Sequence, residues 1–109
     1  MRLLHRIADV LSEINAAAQL GLDMGCGGGN VIYYLHRQGT IGDLVAVDLD
    51  VDRLQFAKHH FPYATYFCAD INRLIFRENT FDYIIATEIF EHLPAPQGAI
   101  RELGRIDKN

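Results

Sequence analysis

Three glycines occupy alternate positions in the segment LDMGCGGGN, residues 22–30. Gly25, Gly27 and Gly29 lack a Cβ atom, so the chain can turn tightly there and a ligand can lie directly against the backbone. A helix that begins after them would present free N–H groups and the positive end of its dipole, which favour a carboxylate or another anion. The alternative interpretation is a tight strand-to-helix turn that binds no ligand.

Two further carboxylates follow apolar segments, Asp48 in VAVDLD and Asp70 in CADI. Asp48 lies roughly twenty residues past the glycines, where a carboxylate can accept hydrogen bonds from both hydroxyls of an adenosine ribose. Asp70 and the apolar Ile71 could hold an adenine amino group and its ring. The alternatives are that Asp48 merely ends a strand and that Asp70 caps a helix or stabilises a loop.

The glycine segment does not match two common nucleotide-binding patterns. The nicotinamide fingerprint is G-x-G-x-x-G, and when it is counted from Gly25 the last position is Asn30. Asp23 would also bring negative charge close to a pyrophosphate, and it suits a ligand with an ammonium group instead. A P-loop is excluded because no Gly-Lys-Ser/Thr follows the glycines. An NAD-binding Rossmann domain is therefore the weaker interpretation.

These residues are embedded in alternating helical and strand patterns. Apolar residues recur at helical spacing over about the first fifteen positions, which predicts an amphipathic helix. Strands are predicted at 19–24, 44–49, 64–69 and 81–87, and helices at 30–38, from Asp50 to about Lys58 and from about Pro96 to Ile106. This order predicts a doubly wound α/β fold with parallel strands, which binds ligands beyond the carboxyl ends of its strands.

The composition is that of one globular domain, with 109 residues of which 50% are hydrophobic and 22% charged. A formal charge of -4 argues against nucleic acid or an anionic membrane as a general partner. No apolar stretch suits a signal or a membrane span, so a cytoplasmic location is predicted. Cys26 and Cys68 are predicted to be free thiols, and no group of residues has metal-ligand spacing, so no metal is expected.

Together, the motifs resemble those of the class I, Rossmann-like, S-adenosylmethionine-dependent methyltransferases. DMGCGGG matches the D-x-G-x-G-x-G signature at every fixed position, and VAVDLD is similar to the second acidic motif. CADINRLIFRENTFDYIIATEIFEHL, residues 68–93, is similar to the third and fourth motif region. Its NTFDYII and EHL elements are typical of the branch with quinone-biosynthesis and other small-molecule methyltransferases. The resemblance covers about residue 20 to the C-terminus.

The resemblance implies cofactor contacts for the first two motifs. Asp23 and the turn Gly25–Gly29 would hold the methionine portion of S-adenosylmethionine. Asp48 would bind the ribose hydroxyls, with Leu49 against the adenine. Cys26 stands where the family often has cysteine, so we expect it to pack within the turn rather than to act as a nucleophile.

The later motifs imply contacts at the base and at the reacting group. Asp70 would contact the adenine amino group, and Ile71 would pack on the ring. Thr87 and Glu88, at the end of the fourth strand, would lie near the methionine moiety and the departing methyl group. These positions place both ends of the cofactor along one edge of the sheet.

Glu91 and His92 of the EHL element have two interpretations. In the resembling enzymes this element starts the helix after the fourth strand, on the substrate side. His92 could act there as a general base, because imidazole titrates near neutral pH, with Glu91 as a second catalytic candidate. Alternatively, both side chains cap or brace the following turn at Pro94–Pro96.

The resemblance also implies how the sheet is completed. In the family, the sheet continues beyond the fourth strand, and the later strands form much of the acceptor pocket. We therefore expect residues 1–109 to be a single S-adenosylmethionine-binding domain without those C-terminal strands, in the strand order 3-2-1-4. The fourth strand would then be an open apolar edge, which favours a homodimer or a partner subunit there.

The expected function is methyl transfer from S-adenosylmethionine to a small-molecule acceptor, with S-adenosylhomocysteine as the product. A catalytically inactive S-adenosylmethionine-binding module, or a fragment that needs a partner chain, carries the same motifs. The sequence leaves these alternatives open.

Overall fold

The structure is a computed structural model that describes residues 2–87 and 97–108. The α-helices and strands follow one another in the predicted order, with a loop and no helix between the last two strands. They are α1 (Arg2–Glu13), a short 3-10 helix (Ala16–Ala18), β1 (Leu20–Met24), α2 (Asn30–Arg37), β2 (Asp43–Asp48), α3 (Val51–His60), β3 (Thr65–Cys68), β4 (Tyr83–Ile85) and α4 (Gln97–Ile106). Within these two ranges, every helix is too short or too polar to serve as a membrane span.

The strands form one parallel sheet in the order β3-β2-β1-β4. In the register of this sheet, Asp23 of β1 lies opposite Ala46 on one side and Ile85 on the other. Asp48 at the end of β2 lies opposite Cys68 of β3. The predicted doubly wound α/β sheet and its strand order are confirmed. Its carboxyl ends bring the residues that follow β1, β2 and β3 to one edge.

Two apolar clusters cover opposite faces of the sheet, because successive side chains of a strand point to opposite sides. The first cluster packs α1, α2 and α3 against the sheet. Its main buried residues are Leu11, Ile32, Leu35, Ala46, Leu54, Tyr83 and Ile85. The second cluster packs α4 and the segment before β4 against the other face. It comprises Leu22, Met24, Val47, Leu74, Phe81, Ala99 and Ile106.

The backbone just before β4 pairs with the backbone that follows α4. Phe81 forms a parallel bridge with Asp107, and its carbonyl accepts a hydrogen bond from Lys108 N–H at 2.9 Å. On the other side, Asp82 N–H donates to the carbonyl of Leu20 at 2.8 Å. The backbone that follows α4 therefore lies beside the start of β4, on the side away from β1. Phe81 lies outside β4, and β4 is the last strand of the sheet in the predicted order 3-2-1-4.

β4 is also shorter than the strand predicted at 81–87, with only three residues. Its register with β1 covers Gly21–Asp23 alone, so the apolar pattern extends further along the chain than the pairing does. The short strand still brings Thr87 to the edge where the glycine segment lies.

Candidate functional site

A cavity of about 550 Å³ opens at the carboxyl ends of the strands. Its wall is formed by the glycine segment, the β2–α3 turn, the residues that follow β3 and one residue that follows β4. Eight of the residues predicted for the site line it: Gly25, Cys26, Gly27, Asp48, Leu49, Asp70, Ile71 and Thr87. Segments up to 62 positions apart in the chain, from Gly25 to Thr87, thus meet around one space.

The glycine segment folds back onto β2. The backbone N–H groups of Gly25 and Cys26 both donate to the carbonyl of Val47, each at 2.9 Å. Gly27 has a φ of 55°, and Gly29 has a φ of 90°, which is a conformation that L side chains rarely adopt. The turn therefore requires glycine at these positions, and it exposes backbone rather than side chains to the cavity.

Gly29 lies behind the cavity wall rather than in it. A Cβ atom at this position would lie 2.9 Å from the ring of Phe61 and 3.0 Å from the Cβ of Ala57. Its missing side chain lets the start of α2 approach the end of α3. The predicted contact of Gly29 with the methionine portion stays a prediction, and close helix packing is the role that its surroundings support.

Asp48 connects the glycine segment to the β2–α3 turn by hydrogen bonds. One carboxylate oxygen accepts a hydrogen bond from Gly27 N–H at 2.7 Å, and the other accepts one from Asp50 N–H at 2.9 Å. Each carboxylate oxygen can accept a further hydrogen bond, so the group can still bind ligand hydroxyls. The next acid, Asp50, caps α3 by accepting from the N–H groups of Asp52 and Arg53.

Asp23, at the carboxyl end of β1, does not line the cavity and is buried, with 1% of its surface exposed. Neither carboxylate oxygen has a hydrogen-bond partner among residues 2–87 and 97–108. Burial, with a further contribution from the Asp48 carboxylate, raises the pKa of Asp23 from 3.8 to about 7. A buried carboxylate without a partner is costly, so this position is suited to a cationic ligand group.

Cys26 is buried in the turn, where its thiol donates a hydrogen bond to the carbonyl of Gly27 at 3.6 Å. Burial, then the nearby Asp23 and Asp48 carboxylates, raises its pKa to about 12. A thiol that stays protonated is a poor nucleophile. This supports the predicted packing role.

Gly28, within the predicted turn, also lines the cavity, and sequence reasoning missed five further residues of its wall: Asn30, Val31, Arg53, Ala69 and Asn72. Three of them adjoin predicted residues, so the motif positions themselves were a sufficient signal for them. Arg53 comes from the first turn of α3, and its guanidinium lies over Gly27, 2.7 Å from where a Cβ atom would be. Asn72 lies two residues beyond Asp70 and hydrogen bonds to it.

Glu88, Glu91 and His92 lie outside the described residues. Their assignments to the methyl group and to general base catalysis therefore stay predictions. Thr87 is the last residue before this gap, and it contributes to the cavity wall.

Comparison with known proteins identifies the family. The family model for a methyltransferase domain matches residues 22–109. The chain belongs to this methyltransferase family. A ubiquinone biosynthesis O-methyltransferase from Coxiella burnetii is 31% identical over 107 residues, which is 94% of this chain and 45% of the relative. The methyltransferase chain thus spans less than half the length of that curated relative.

Two further proteins are similar to this chain. The human mitochondrial arginine-hydroxylase NDUFAF5 is 34% identical over 82 residues, or 75% of this chain and 24% of that protein. The crystal structure of a TehB-like S-adenosylmethionine-dependent methyltransferase from Corynebacterium glutamicum is 28% identical, with a TM-score of 0.75. The match covers 93% of this chain and 55% of that one. The fold is Rossmann-like, and S-adenosylmethionine is the cofactor that the family indicates.

Proposed function

We propose that the cavity binds S-adenosylmethionine and that the protein transfers its methyl group to a small-molecule acceptor, with S-adenosylhomocysteine as the product. One observation carries the proposal: the glycine backbone, Asp48 and Asp70 surround a single cavity at the ends of three adjacent strands. The spacing of these groups suits a ligand with an amino-acid end, a ribose and an adenine.

The residues present fit the methionine end of this cofactor. The buried Asp23 carboxylate lacks a partner within the described part of the chain, and an ammonium group is a suitable one. The positive φ of Gly27 and Gly29 shapes a turn without side chains, in which backbone N–H groups and the start of α2 favour a carboxylate. A ligand that carries both charges satisfies both features.

The adenosine end would be held by the other two acidic motifs. Asp48 would accept hydrogen bonds from the ribose hydroxyls, and Leu49, which is 66% exposed, would cover the adenine when the ligand is bound. Asp70 would accept a hydrogen bond from the adenine amino group, with Ile71 against the ring. Burial of an exposed leucine by the ligand would add an apolar contribution to binding.

The bound cofactor supplies a methyl group that its sulfonium has already activated. The contribution of the chain is therefore to hold the donor in a fixed orientation and to exclude water, which can account for most of the acceleration. Thr87, at the end of β4, would border the reacting end. His92 and Glu91 remain candidates either for a general base or for bracing the turn that follows them.

The acceptor is proposed from the relatives. The Coxiella burnetii relative is named as a ubiquinone biosynthesis O-methyltransferase. An oxygen atom of a small molecule is therefore the acceptor class that we propose. The two free cysteines support a cytoplasmic location for this reaction.

A second copy or a partner subunit could complete the sheet beyond the Phe81–Asp107 bridge, along β4. Such pairing would complete the site, since the family places acceptor residues on that side. Sedimentation should show a mass that rises with concentration, and a monomer mass at every concentration would contradict this part of the proposal.

A binding module without methyl transfer is the second candidate. It is considered because the NDUFAF5 relative, which is 34% identical over 82 residues, is named for hydroxylation and not for methyl transfer. Transfer of labelled methyl from S-adenosylmethionine to a pool of small-molecule acceptors separates the two candidates. Binding of S-adenosylhomocysteine without any transfer would favour the binding module.

Calorimetric titration with S-adenosylmethionine and, in parallel, with NAD tests the cofactor assignment. We expect S-adenosylmethionine to bind and NAD not to bind. Asp48→Ala should weaken the affinity by about 1–3 kcal/mol, because ligand hydroxyls lose their acceptor. Asp52→Ala, an exposed acid of α3, is the matched control. Binding of NAD alone would overturn the proposal, and unchanged affinity in Asp48→Ala would remove Asp48 from the site.

A further inference from the structure

The Asp70 carboxylate is held on one side by a single neighbour. Its Oδ1 atom accepts two hydrogen bonds from Asn72, one from the backbone N–H at 2.9 Å and one from the side-chain amide at 3.1 Å. Its Oδ2 atom has no partner in the part of the chain that the structure describes. The Asn72 contacts thus fix which oxygen is left for a ligand.

Asn72 is held in turn by α4. A Cβ atom at Gly98 would lie 2.7 Å from Asn72 Oδ1, 3.0 Å from its Cβ and 3.2 Å from its Cγ. The asparagine side chain therefore packs directly on the backbone of α4, in a space that only glycine leaves free. Asp70 is thereby connected through Asn72 to a helix 28 residues later in the chain, at Gly98.

We propose that Asn72 is a positioning residue for purine selectivity: with Gly98 behind it, it orients Asp70 so that Oδ2 faces the 6-amino group of the adenine. The inference rests on the proposed function, because it takes Asp70 as the residue that contacts the base. It adds a specificity role for Asn72 and a dependence of that role on α4.

The physical reason lies in the donor and acceptor pattern of the base. A carboxylate only accepts hydrogen bonds, and the 6-amino group of adenine donates them, whereas the 6-oxo group of hypoxanthine only accepts. A fixed carboxylate therefore favours adenine and opposes hypoxanthine. When hypoxanthine is bound, the carboxylate oxygen faces no donor and stays without a hydrogen bond. A carboxylate that is free to rotate can turn away from the oxo group, so its selectivity is lower.

The experiment compares the dissociation constants of S-adenosylhomocysteine and S-inosylhomocysteine, which differ in this group. We expect the wild-type chain to prefer the adenine ligand by about tenfold or more. Asn72→Ala should reduce the preference to about threefold or less, as expected when a fixed acceptor becomes mobile. A general loss of structure would weaken the binding of both ligands equally and leave the ratio of their dissociation constants unchanged. A change in this ratio therefore reports the positioning of Asp70.

Two glycines of α4 provide a matched pair of second variants. Gly98→Ala must displace the Asn72 side chain, whereas Gly104→Ala meets no atom within 4 Å. Both substitutions raise helix propensity, so neither should unfold α4. We expect Gly98→Ala to lower the preference for the adenine ligand and Gly104→Ala to leave it at the wild-type value.

The outcomes separate the inference from the proposed function. A wild-type chain that binds neither ligand would contradict the proposed function and the inference together. A wild-type preference that persists in both Asn72→Ala and Gly98→Ala would overturn the inference alone. An equal loss of affinity for both ligands in Asn72→Ala would overturn it too, because Asn72 would then act only on structure.

Discussion

The two faces of the sheet are built from different chemistry. The second cluster contains only apolar side chains, and its aromatic rings pack edge to face, with 5.1 Å between the centroids of Phe76 and Phe81. The face that the first cluster covers, here called the first face, buries both Asp23 oxygens and the Tyr83 hydroxyl without a partner among the described residues. Both faces bury apolar clusters that stabilise the fold, and the first also buries polar groups at a cost in stability that a bound ligand would offset.

The largest effect is expected on the apolar face. Phe81 is 1% exposed, and Phe81→Ala should lower the free energy of unfolding by about 3–5 kcal/mol, because it leaves a cavity in the second cluster. Urea denaturation measures the change. Ile75→Ala is the matched control, since Ile75 is 80% exposed and should change stability by about 0.5 kcal/mol or less. Equal effects of the two substitutions would remove the distinction between this face and the surface.

At Asp23, by contrast, removing the charged side chain should raise the free energy of unfolding. The unfolded chain releases the Asp23 proton near pH 4 and the folded chain near pH 7, so the folded state binds the extra proton between them. Stability should therefore fall as the pH rises from about 4 to about 7, by up to about 1.4 kcal/mol per pH unit. Asp23→Asn should remove this slope and raise stability at pH 8 by about 1–3 kcal/mol, because no charge is buried.

Urea denaturation across this pH range measures the slope. Asp9→Asn, at an exposed position of α1, serves as the control and should keep the wild-type slope. A variant at Asp23 that is less stable than the wild type at pH 8 would mean that the carboxylate has a partner in the ligand-free protein. The first face would then not bury an unpaired carboxylate.

The same carboxylate should make ligand affinity depend on pH. An ammonium group is stabilised only by the ionised form of Asp23, so S-adenosylhomocysteine should bind more tightly as the pH rises through about 7. The affinity should rise by up to about tenfold per pH unit below this value and level off above it. Calorimetry in two buffers of different ionisation enthalpy should detect a proton released on binding at pH 6. Binding at pH 6 without proton release would separate Asp23 from the ligand.

Much of this organisation could be predicted from the sequence. The glycine spacing, Asp48 and Asp70 each end a strand, and parallel strands bring their carboxyl ends together, so local patterns were enough to place them at one site. The strand order followed from the resemblance. Within the described residues, the sequence patterns also located the α-helices and strands to within a few residues, but they did not predict the 3-10 helix at Ala16–Ala18.

The remaining features depend on contacts that no local pattern encodes. The Asn72–Gly98 contact joins residues that share no motif, and it arises from how α4 packs on the sheet. The Phe81–Asp107 bridge involves a single residue after α4, where no strand periodicity exists. Nor does the identity of Asp23 reveal that it lacks a partner, because that depends on which groups surround it after folding.

The smallest effect should come from two tyrosines of the first face. The Tyr83 hydroxyl is buried without a partner in the described ranges, whereas the Tyr66 hydroxyl donates to the carbonyl of Phe61 at 2.6 Å. Removing an unpartnered buried hydroxyl avoids its desolvation cost, so Tyr83→Phe should leave stability unchanged or raise it by about 1 kcal/mol. Tyr66→Phe should lower stability by a similar amount, because the carbonyl loses its donor.

The two substitutions delete the same atom from the same residue type, so their difference in urea denaturation isolates the hydrogen bond. If the Tyr83 hydroxyl is buried without a partner, Tyr66→Phe should lower the free energy of unfolding and Tyr83→Phe should not. Equal losses of stability would mean that Tyr83 is satisfied in solution, by water or by a group outside the described ranges. The ligand-free cost of this face would then be confined to Asp23, whose carboxylate a bound ammonium would neutralise.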